Sequence, residues 1–62
     1  MPGMFNQLKE VKGMKARRED KGLTVTQLSQ IARVAYATVK RAEAGAKVRA
    51  DIHKWIEEAL NG

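Results

Sequence analysis

Residues 23–45 read LTVTQLSQIARVAYATVKRAEAG, and two short helices in tandem can be read from them. Thr24 is a favourable N-cap, because its side-chain oxygen can accept from a backbone N–H of the first turn. A helix is expected from Val25 to about Arg33, with Leu28, Ile31 and Ala32 as its inward face at steps of three and four. Ala35 is a poor cap for the helix that follows. That helix runs from Tyr36 to Ala44, turns Val39 and Ala42 inward, and stops at Gly45, a residue suited to the left-handed end of a helix.

The flanks continue the helical period. Upstream, Met4, Leu8, Val11 and Met14 recur at steps of four, three and three, which predicts a helix from Met4 or Asn6 to Lys21, ended by Gly22. Arg18 extends that face. Gly13 lies inside the pattern, weakens it by about 1 kcal/mol relative to alanine and is a candidate break. Downstream, a helix begins near Ala50 or Asp51, where a carboxylate in the first turn complements the helix dipole. Ile52, Ile56, Ala59 and Leu60 form its stripe, Trp55 is expected to close one side of the core, and Asn61-Gly62 can end it. No segment alternates apolar and polar residues at length, so no strand is expected. The fold class is therefore all-α: one compact domain over residues 1–62, with four helices or five.

Length and composition narrow the functions. Sixty-two residues at 6.9 kDa hold one small domain, too small for a two-lobed enzyme. With no cysteine and one histidine, neither disulfides nor a structural zinc site is expected, and the cysteine count fits a reducing cytoplasm. Apolar residues are 44% of the chain, too many for a disordered basic tail. No apolar run reaches membrane-spanning length, and the start lacks a secretion signal. The chain thus reads as soluble and cytoplasmic, and Met1 with a clean helix end leans towards a whole protein. The net charge of +5 and an isoelectric point near 10.0 favour polyanionic partners. The charge is uneven: net +3 over residues 1–32, +4 over residues 33–49 and −2 over residues 50–62.

Residues 23–45 resemble the helix-turn-helix of the Cro and phage-repressor family of DNA-binding proteins. MKARREDKG at 14–22 is similar to that family's first helix and its terminating glycine, and RADIHKWIEEAL at 49–60 to its fourth helix. The likeness covers about residues 10–61. It implies a repressor-like bundle with the motif at about 24–44 and a recognition helix at about 36–44. Ala32 then sits where two helices cross closely, Val34 plugs the turn, and Val39 anchors the second motif helix. The family usually has glycine where this chain has Arg33. A side chain at positive φ costs on the order of 1 kcal/mol, so the turn is expected to be either strained or of a different type. Arg18 and Glu43 each fall on an apolar face by period alone, and charges there are rarely buried unless paired. The resemblance implies a buried ion pair between Arg18 and Glu43.

The resemblance also implies the contacts to DNA. The third helix would enter the major groove, with base contacts from Tyr36, Ala37, Lys40 and Arg41. Arg41 is the leading candidate for a bidentate bond to guanine. Phosphate contacts fall to Thr24, Thr26, Thr38, Lys47 and Arg49, with the backbone N–H groups that open the second helix. Lys15, Arg17 and Lys21 would add diffuse attraction. Val25 stands where the family often has a glutamine, which removes one phosphate contact. The implied protein is a small sequence-specific repressor of phage, prophage or plasmid origin, binding a double-stranded operator as a homodimer. No cofactor, metal, membrane or small-molecule ligand is implied. The chain stops where relatives often carry a fifth helix, and the role of residues 1–8 is left open. They could pack on the fourth helix, or Met4, Phe5 and Leu8 could join Trp55 and Leu60 in a dimer contact.

Other classes compete. The same fold serves antitoxins of toxin–antitoxin pairs, where Phe5, Trp55 or Leu60 would form an exposed apolar patch for a partner protein. RNA recognition would want more stacking aromatics than Phe5, Tyr36 and Trp55, and a membrane-surface helix would want one long basic segment. An enzyme is not expected: His53 stands alone, with no nucleophile–base constellation around it, and reads as a surface residue.

Overall fold

The computed structural model of the chain describes residues 8–61. Among them lie strand β1 (Leu8–Lys9), helices α1 (Met14–Asp20), α2 (Val25–Ala32) and α3 (Tyr36–Glu43), strand β2 (Val48–Arg49) and helix α4 (Ala50–Asn61). The chain is mostly helical, with a small sheet.

That sheet corrects the all-helical expectation. β1 and β2 pair antiparallel, Leu8 opposite Arg49 and Lys9 opposite Val48. Two-residue strands carry no readable period, so the alternation test could not see them. The long first helix is corrected with it. α1 starts only at Met14, because Gly13 adopts φ 63°, left-handed backbone that glycine reaches at little cost and that ends the upstream pattern. Leu8, expected on a helix face, is 59% exposed on β1. Met4 and Phe5 lie outside the described residues.

α2 is built as its sequence suggests. Thr24 caps it, accepting from the Gln27 N–H at 3.1 Å, while the Gln27 side chain accepts from the Thr24 N–H at 2.8 Å. Two otherwise orphaned donors are thereby satisfied. α3 has no side-chain cap at Ala35; Val39 and Ala42 bury its inner face and Glu43 pairs with Arg18.

The core draws on every helix. Val11, Met14, Leu28, Ala32, Val34, Val39, Ala42, Val48, Ile56 and Leu60 are buried together, and Leu28, Val39 and Ile56 are sealed from solvent. α2 packs against both α3 and α4, and α1 packs against α3. Two residues expected to face inward from α2 and α4 escape this core. Val25, Leu28 and Ala32 centre the inward stripe of α2 and leave Ile31 about 90° away, where it is 56% exposed. Trp55 stands off the α4 stripe in the same way and is 43% exposed, so it does not close the core.

Arg33 is the non-glycine residue at positive φ among those described, at 58°. It ends α2, with its N–H and that of Val34 both bonded to the Ser29 carbonyl. The turn fixes this backbone, and the side chain bears a cost on the order of 1 kcal/mol. Thermal melts should rank Arg33→Gly at or above the native chain, since relief of strain is partly offset by a freer unfolded chain. Arg33→Val should fall below both, because a β-branched side chain tolerates this region worst. A valine variant that melts no lower than native would contradict the strain.

Candidate nucleic-acid interface

α3 divides by its own period into two faces. Val39 and Ala42 are buried against the core, at 0% and 1% exposure. On the other side Tyr36, Ala37, Lys40 and Arg41 are exposed, and their spacing of three and four places them on one continuous strip. Thr38 sits half-buried at its edge. Arg41 Nη2 reaches Thr38 Oγ1 at 3.4 Å, a long contact that holds the guanidinium loosely.

The strip runs into a shallow depression. Thr38 and Arg41 line it together with Lys47 and Arg49, over an apolar floor that includes Leu8 and Ile52. Three cations from α3, the following loop and β2 thus converge on one surface. The sheet pairing sets Arg49 in place opposite Leu8. Arg49 Nη2 also lies 3.3 Å from Asp51 Oδ2, but at 56% side-chain exposure such a pair is worth little and yields readily to another anion. Asp51 is engaged elsewhere too, accepting from the Ile52 N–H at 2.9 Å.

Thr24 and Thr26 are exposed at the amino end of α2. The reciprocal cap with Gln27 occupies the backbone N–H groups of Thr24 and Gln27. What remains for an anion is the Thr24 hydroxyl proton, the Thr26 hydroxyl and the N–H groups of Val25 and Thr26.

An ion pair carries the rear of the interface. Arg18 Nε and Nη2 donate to the two oxygens of Glu43 at 2.8 and 3.0 Å, and Arg18 Nη1 donates to the Leu23 carbonyl at 2.7 Å. This ties the last residue of α3 to α1 and to the loop before α2. The hydrogen bonds to Glu43 raise the Arg18 pKa, outweighing its partial desolvation. Among the described residues no buried side-chain nitrogen or oxygen lacks a partner.

Arg17 is not part of the basic surface. It forks onto Glu57 of α4, with 2.7 and 2.9 Å bonds, and reaches Asn61 Oδ1 at 3.1 Å. The expected diffuse attraction from Arg17 is therefore cancelled by its partner, whereas Lys15 and Lys21 stay exposed. His53 is half-buried, its Nε2 3.7 Å from Glu57 Oε2, beyond a good hydrogen bond. The Arg17 hydrogen bonds hold the Glu57 carboxyl below its ordinary pKa against desolvation, with the charges of Arg17 and His53 adding to them. A depressed folded-state pKa gives stability that is full above the ordinary glutamate range and lost as pH falls through the folded value. Arg17→Met should therefore make urea midpoints less sensitive to acidification from neutral pH. An unchanged acid slope would contradict the pairing.

Comparison with protein-family models, with curated proteins and with solved structures finds no match to this chain.

Among the described residues no three histidine, aspartate or glutamate side chains gather as a metal site, and no helix is long and apolar enough to cross a membrane. Three features of the surface escaped sequence reasoning. The reciprocal half of the Thr24-x-x-Gln27 box went unread, although its spacing is a capping signature. Leu8 beside Arg41 and Arg49 carried no signal, because only the sheet brings them together. Arg17 and Glu57 are 40 residues apart, and no local pattern joins them.

Proposed function

We propose that this chain is a sequence-specific double-stranded DNA-binding regulator, a small Cro-like repressor in which α2 and α3 act as a helix-turn-helix. The observation that carries the reading is the outer strip of α3. Tyr36, Ala37, Lys40 and Arg41 face solvent from a helix clamped behind by Val39, Ala42 and the Arg18–Glu43 pair. That strip is continuous with the cationic depression of Arg41, Lys47 and Arg49. A short, rigid, basic helix with its outer face free is the element that fits a major groove.

The residues then divide by task. Arg41 reads a guanine through two donors, Tyr36 offers its hydroxyl or packs its ring on a thymine methyl, and Ala37 gives a methyl contact. Lys40 reaches a base or a phosphate. Lys47, Arg49, Thr38 and the Thr24–Thr26 end of α2 hold phosphates and set the register. One domain reads few base pairs, so two copies on half-sites about one helical turn apart complete the recognition. The protein would act by occupying an operator and blocking polymerase.

Selection of bound sequences from random duplex DNA tests this reading. A palindromic consensus is the expected result. Sequence-blind, salt-sensitive binding with no enrichment would remove it.

The antitoxin reading loses one of its proposed contacts. Leu60 is 4% exposed and belongs to the core, and Phe5 lies outside the described residues. Trp55 alone of the three is an exposed apolar contact in the described chain.

A further inference from the structure

We propose that the groove between the carboxyl end of α2 and the outer face of α4 seats a second copy of this chain in a two-fold dimer. Ile31, Trp55 and Ala59 line the groove, with Arg33 and Glu58 beside them. Ile31 and Trp55 are 56% and 43% exposed, an apolar pair that the monomer leaves in water. Neither Arg33 nor Glu58 makes an ion pair among the described residues.

The charge layout selects the occupant. A two-fold contact is isologous, so a residue that meets a second one is met by it in return. One cation and one anion bordering a single apolar centre are self-complementary under such an axis. Arg33 of each copy meets Glu58 of the other, while Ile31 and Trp55 pack against their equivalents. A strongly acidic or strongly basic partner would oppose a like charge at one of the two positions.

The size of the patch sets its strength. The chain exposes 4285 Å² in all, and a standard stable interface takes about 800 Å² from each partner. The groove is smaller than that, so the dimer is weak in free solution. Two adjacent half-sites would raise the effective concentration and make it count. Self-association stands without the DNA reading, whereas its use in joining half-sites rests on it.

The test uses the full chain without DNA, by sedimentation equilibrium and Trp55 emission from roughly 10 μM to roughly 1 mM. The apparent mass should rise towards the dimer and the emission should move to the blue. Arg33→Glu and Glu58→Arg should each weaken association by roughly tenfold or more, and the double swap R33E/E58R should restore it. Circular dichroism of each variant checks that the fold is kept. A chain monomeric at every concentration overturns the proposal and leaves the groove to a different protein. Association unaffected by the single swaps overturns it too. So does blue emission that is independent of concentration and lost on removing residues 1–7, since the chain's own start would then cover the groove. Failure to select any duplex, with self-association intact, would instead remove the DNA reading and leave the dimer.

Discussion

Glu43→Ala is expected to lose about 3 kcal/mol, a third or more of the native stability. A domain of 62 residues carries about 3–9 kcal/mol at the usual stability per residue. Removing one partner of a buried ion pair costs about 3–5 kcal/mol, because the other charge stays desolvated. Arg18 is 9% exposed, so it meets that condition, and some solvent access at the rim puts the loss near 3 kcal/mol. A small domain loses about 4–8 °C of Tm per kcal/mol, so the midpoint should drop by more than 10 °C. The double variant Arg18→Met/Glu43→Leu should recover much of this loss, since no lone charge is left. An unchanged midpoint for Glu43→Ala would mean that the pair is a solvated rim contact.

The second large effect concerns binding. With about four to six phosphates neutralised per subunit, the logarithm of affinity should fall with the logarithm of salt at a slope near −4 to −5. Raising salt from about 50 to about 200 mM should then weaken binding by about two to three orders of magnitude per subunit. Arg41→Ala should cost a further 1–3 kcal/mol, roughly, on a selected duplex and flatten the preference at one base pair. Lys47→Ala should weaken all duplexes alike and reduce the slope by about one. Fluorescence anisotropy over a salt series separates the two. Equal losses for Arg41→Ala on every sequence would make Arg41 a phosphate ligand and move base readout elsewhere on α3.

The core of α2 and α3 was legible because local rules agree there. Thr24 caps, Leu28, Val39 and Ala42 repeat at helical spacing, and Gly45 ends the pattern. Arg33 was legible as the position where the turn is either strained or of a different type, and its φ of 58° decides for strain. The misses share a physical cause. β1 and β2 exist through pairing of Leu8 with Arg49 and Lys9 with Val48, far apart in the chain, which no two-residue window announces. Ile31 and Trp55 looked inward because both lie beside apolar stripes, yet a helix buries about a third of its surface and leaves the flank in water. Of the basic side chains, sequence order could not tell which pair with carboxylates from distant elements. Arg17 was assigned to the open field and is held by Glu57, while Arg41, Lys47 and Arg49 share one surface.

The central claim, that the outer face of α3 meets a duplex, is most directly tested by titrating the nitrogen-15-labelled chain with a selected duplex and following backbone and arginine side-chain resonances. The account predicts shifts concentrated at Thr24–Thr26, Tyr36–Arg41 and Lys47–Arg49, with the Arg17–Glu57 side silent. Shifts centred on Arg17, His53 and Glu57, with α3 unmoved, would contradict it.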